Sequence, residues 1–73
     1  MNTENIIKEL NPIDHVIEDK KITLLFNDNK ILILSDFEDK LMFSFFIDKQ
    51  LLATDIEDEF IFITNFKKYL KNN

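Results

Sequence analysis

The chain predicts an α+β fold: a short N-terminal helix, a four- to five-stranded antiparallel meander, and a C-terminal helix packed on the sheet. Three observations lead there. Apolar residues in the middle come in short β-branched or aromatic blocks, separated by Asp19, Asp28, Asp39 and Asp48 at spacings of 9, 11 and 9 residues, the rhythm of an up-and-down sheet. Both ends carry apolar residues at helical spacing instead. The chain has 73 residues and no cysteine, which limits it to a single small domain over 1–73, with one core worth about 3–5 kcal/mol net and no disulfide to reinforce it.

At the start, Asn2 or Thr3 is placed to cap a helix carrying Ile6, Ile7 and Leu10, which Pro12 ends. Two turns of helix are marginal alone and need a sheet to pack on. Five blocks then read as strands: 13–17, 22–26, 31–34, 41–47 and 51–54. With no glycine in the chain, the Asp and Asn residues between blocks are the ones best able to take turn geometry with positive φ. The last segment supports two readings. As a helix over 56–72 it gathers Ile56, Phe60, Phe62, Ile63, Phe66, Tyr69 and Leu70 on about half its circumference, with Glu59 and Lys67 intruding on that face. Thr54 and Glu57 then form a capping box, and the acidic start and lysine-rich finish suit the helix dipole. The competing reading makes 60–64 a sixth strand, on its β-branched and aromatic content. The helix is preferred.

Composition excludes several function classes. The formal charge is −5, from fourteen carboxylates against nine lysines and no arginine. Sequence-reading of DNA leans on bidentate arginine, and phosphate binding needs a basic surface, so direct nucleic-acid binding is not expected. Ile, Lys, Phe and Asn make up about half of the chain. All four have A/T-rich codons, so the missing Arg and Gly reflect gene base composition rather than chemistry, and point to a low-GC bacterium, its phages or its mobile elements. No basic-then-apolar leader opens the sequence, and no apolar run approaches a membrane span. The expected location is cytoplasmic (host cytoplasm, if phage-encoded), with no membrane partner.

No cofactor or metal is expected, and no catalysis. His15 is the only imidazole. On a helix it would stand beside Asp14, Glu18 and Asp19, but in a strand those side chains diverge, and one His without Cys makes a weak metal site. It reads as an ordinary surface histidine. Ser35 and Ser44 lie in no nucleophile elbow. The acidic run 55–59 lacks the central glycine and distant Glu of a calcium loop.

Two surface features carry the functional expectation. In a meander, the turns near Asp19 and Asp39 share one end of the sheet with the start of the last segment. That end collects Glu18, Asp19, Asp36, Glu38, Asp39, Asp55, Glu57, Asp58 and Glu59 against Lys20, Lys21 and Lys40. Such a rim suits a basic protein surface, including one on a nucleic-acid-binding protein or complex. Second, both faces of the central strands are largely apolar, unlike a sheet with one wet side. Either the two helices cover opposite faces or one face meets another subunit. The expected self-association face comprises Met42, Phe46, Leu32 and Leu34, most simply in a two-fold homodimer. In size, acidity and composition the chain resembles phage-borne inhibitors of bacterial defence, anti-CRISPR proteins among them, a resemblance of type with no aligned stretch. It implies a non-catalytic inhibitor whose acidic rim occludes a nucleic-acid channel on a nuclease complex. The alternative is a structural or chaperone-like homodimer that works through its apolar sheet face.

Overall fold

A computed structural model of the chain describes residues 1–72. It contains α1 (Thr3–Leu10), β1 (Asp14–Ile17), β2 (Lys21–Phe26), β3 (Lys30–Phe37), β4 (Lys40–Ile47), β5 (Gln50–Glu57) and α2 (Glu59–Lys71). The strands form one antiparallel sheet in the order β1-β2-β3-β4-β5. The α+β meander with a helix at each end is therefore the fold of the chain, with five strands.

Local chemistry sets the boundaries. Asn2 caps α1, its side chain accepting from the Asn5 N–H at 3.1 Å. Asn11 closes the helix in left-handed geometry at φ 50, donating its N–H to the Ile7 carbonyl, and Pro12 follows. Without glycine, positive φ falls on Asp28, Asn29 and Asp48 as the turn chemistry predicts, but also on Glu38 (φ 58) and Lys49 (φ 68). In the two-residue β4–β5 hairpin both Asp48 and Lys49 are left-handed, which matches the twist of the flanking strands.

The helix reading of the last segment holds, but its start moves. Pairing of β5 with β4 continues to Leu41↔Glu57, so Ile56 is a strand residue. Thr54 does not cap a helix; its hydroxyl lies 3.1 Å from that of Ser44 and donates to the Phe43 carbonyl at 3.0 Å. Asp58 is the cap, accepting from the Ile61 N–H at 3.1 Å. A helix beginning at 56 would leave Leu41 and Met42 of β4 without their outer pairing partners Glu57 and Ile56. The buried face of α2 is Phe62, Ile63 and Phe66, and Phe60 is 77% exposed rather than packed.

Both helices lie on the same face of the sheet. Ile6 and Leu10 of α1 and Phe62, Ile63 and Phe66 of α2 share one core with Ile22, Leu24, Phe26, Leu32, Leu34, Leu41 and Phe45. The register puts every one of these strand residues on one side, through the pairs Ile22↔Leu34, Leu24↔Leu32 and Leu32↔Phe45. The helices run side by side with both N-termini at one end. The Asn2 N–H donates to Glu59 at 3.1 Å, and Lys67 reaches Glu9 at 2.7 Å. Those contacts explain the two charged residues that interrupt the apolar face of α2: each is directed at α1.

Candidate functional site

The acidic end is built by topology. The β1–β2 turn, the β3–β4 turn and the junction of β5 with α2 all lie at the same end of the meander. Strand spacing of about 4.8 Å puts the β3–β4 turn roughly 7 Å from the top of β5 and roughly 10 Å from the β1–β2 turn. Against a screening length of about 8 Å at physiological salt, Glu38, Asp39 and Glu57 act together, and Asp19 is more weakly coupled to them.

Five of the nine rim carboxylates have partners within the chain. Asp36 takes the Met1 ammonium at 2.7 Å, and Glu59 approaches the same group at 3.8 Å. This raises the pKa of the terminal amine, chiefly through its hydrogen bond to Asp36 and with help from the charges of Asp36 and Glu59, against the opposing effect of burial. Asp58 is occupied as the α2 cap, Glu18 lies 3.8 Å from Lys21, and Asp55 accepts from the Ile56 N–H at 2.8 Å. Asp19, Glu38, Asp39 and Glu57 make no side-chain hydrogen bond or ion pair among the described residues. These four are the carboxylates available to a partner.

Sequence reasoning missed a further acid. Glu4 sits in the first turn of α1, and the Met1 and Asn2 contacts bring that turn to the acidic end. The signal was present: only Asn11–Ile13 join α1 to β1, so the C-terminus of α1 must lie where β1 begins and its N-terminus points toward the rim. With Glu4, ten carboxylates face Lys20, Lys21, Lys40 and the Met1 ammonium, an excess of six negative charges. The opposite end gathers Lys8, Lys30, Lys49, Lys68 and Lys71 against Asp14, Asp28 and Asp48, an excess of two positive charges.

The four residues expected to form a self-association face do not lie on one face of the sheet. Met42 and Phe46 stand on the side of the sheet away from the helices, and Met42 is 39% exposed. Leu32 and Leu34 do not share that side. They pair with Phe45 and Phe43 and are 0% exposed beneath the helices. The β3 residues opposite Phe46 and Ser44 are Ile31 and Ile33, because strand parity, fixed by the hairpin register, sends alternate residues to opposite faces. No helix covers this outer face. Across all five strands it carries Val16, Leu25, Ile31, Ile33, Met42, Phe46, Leu51 and Ile56.

His15 is exposed in β1 opposite Leu24. Its neighbour Asp14 accepts the His15 backbone N–H at 2.8 Å, so that carboxylate does not turn toward the imidazole. Among the described residues no group of three or more His, Asp or Glu side chains is arranged to hold a metal ion, no polar or charged residue is buried, and no helix is long and apolar enough to cross a membrane. No protein-family model, curated protein or solved structure matches the chain.

Proposed function

We propose that the protein is a non-catalytic binding module that docks its acidic end on a basic protein surface, one built to receive nucleic acid, and so competes with nucleic acid there. The observation that carries this reading is the set of four carboxylates, Asp19, Glu38, Asp39 and Glu57, that share one end without structural partners while Asp36, Asp58 and Glu59 serve the fold. A cluster of like charge costs the folded state self-repulsion. A cationic partner would relieve that cost and gain association rate from the same field. Compensation by lysines is concentrated at the other end of the molecule, which leaves the field directional.

The test separates docking carboxylates from structural ones. Tagged protein is used to capture partners from a low-GC bacterial lysate. Partners should be held at about 50 mM salt, released at about 500 mM, and displaced by added double-stranded DNA. The triple variant Asp19→Lys, Glu38→Lys, Asp39→Lys should lose them with an unchanged circular dichroism spectrum. Capture that resists salt, or that survives this variant, would overturn the reading. Reversing Asp58 or Glu59 would be uninformative, because both hold the helices in place.

A further inference from the structure

We infer that the outer face of the sheet is the interface with a second copy of this chain, stacked so that the acidic end of each copy lies over the lysine-rich end of the other. Nearly a third of the residues are charged, yet the middle of this face has none. Its central row reads Val16, Thr23, Ile33, Ser44 and Thr54, flanked by Leu25, Ile31, Phe46 and Leu51 on one side and by Ser35, Met42 and Ile56 on the other. Charge depletion marks the centre of an interface, and aliphatic Val, Leu and Ile side chains with Met42 and Phe46 make up two thirds of these twelve positions. A basic partner would find no counter-charge here, whereas an identical neutral face is self-complementary, as a two-fold axis requires.

The area suffices. Strands about 4.8 Å apart that rise about 3.3 Å per residue give a face of roughly 500–600 Å². Two copies then bury roughly 1,000–1,200 Å², which reaches the range of specific interfaces. Left bare, the apolar part of this face, roughly two thirds of it, would fall within the size range of the largest apolar patches that monomers expose.

Charge selects between the two ways of stacking. With the axis parallel to the strands, two acidic ends, each with an excess of six negative charges, would sit together. With the axis in the sheet plane and across the strands, each acidic end meets the far end of the other copy, whose five lysines outnumber its three aspartates. That arrangement sets Phe46 over Met42 of the second copy about the central row. It also directs Lys21, on the acid-end margin of the outer face, toward Asp14 at the far corner of the other copy.

Sedimentation or light scattering should give twice the 8.8 kDa chain mass at micromolar concentration. Met42→Glu should reduce it to the monomer mass with the circular dichroism unchanged, and Phe46→Glu should do the same, whereas Phe60→Glu on the helix side should leave the dimer intact. A spin label at Asp39→Cys, at the tip of the β3–β4 turn, should report a separation between copies greater than about 25 Å, the length of the strands. A monomer mass for the unmodified chain, or a dimer that survives Met42→Glu with its fold intact, would overturn the interface. A label separation below about 20 Å would overturn the stacking. None of these readouts depends on the acidic end having a partner.

Discussion

At the residue scale, the chain solves two problems with side chains that would ordinarily be avoided. It makes tight hairpins with no glycine, and it places an ammonium among carboxylates at the start of α1. Asp28, Asn29, Asp48 and Asn11 were legible as turn residues, because short polar side chains tolerate left-handed geometry. Glu38 and Lys49 were not legible, since neither residue type favours that region; the register of their hairpins imposes it. The Met1 ammonium was equally hidden, because its partners Asp36 and Glu59 come from the ends of distant elements. It has a testable consequence. A group whose pKa is raised on folding stabilises the fold fully below its unfolded value and loses that contribution as pH rises through the folded value. The ordinary value is 8.0, so stability in urea should be level just below pH 8 and fall above it. In a chain acetylated at Met1 that fall should disappear. A decline of the same size in the acetylated chain would assign the effect to another group.

At the element scale, α2 shows what periodicity can and cannot decide. Its existence was legible, since Phe62, Ile63 and Phe66 repeat at helical spacing. Its start was not, since Thr54 and Asp58 are both acceptable caps and only the pairing of β5 with β4 chooses between them. Phe60 and Phe66 look equivalent in sequence but occupy opposite situations. Phe66 packs against Phe26, Phe45, Phe62 and Tyr69 with ring centroids 5.8, 5.1, 5.4 and 5.6 Å away, whereas Phe60 projects into solvent. Truncating a core Phe to Ala costs about 3–5 kcal/mol, which is the whole net stability expected of a core this small. Phe66→Ala should therefore lose the dispersed amide spectrum of a folded domain at 25 °C. Phe60→Ala should shift the urea transition by no more than about 0.5 kcal/mol. A folded Phe66→Ala variant would mean that the sheet with α1 alone is a sufficient core.

At the scale of the whole molecule, one design choice governs both surfaces. Placing the two helices side by side on one face completes the core there and leaves the other face bare. It also sends both helix N-termini to the end where two turns and the β5–α2 junction already carry acids. The rim was legible because a meander alternates its turns between two ends. The bare face was legible only in outline, because nothing in the sequence says on which side each helix lands. The resulting field should oppose folding of a single copy, and salt should relieve that opposition. Raising sodium chloride from about 0.05 to about 0.5 M cuts the screening length from above 10 Å to below 5 Å, shorter than the spacing between the turns. Measured on the Met42→Glu monomer, where contacts between copies do not contribute, the melting temperature should rise by several degrees, since about 1 kcal/mol shifts a domain of this size by roughly 4–8 °C. A falling melting temperature would mean that attraction in the Lys67–Glu9 and Met1–Asp36 pairs outweighs repulsion at the rim. The acidic end would then hold no excess potential with which to draw a basic partner.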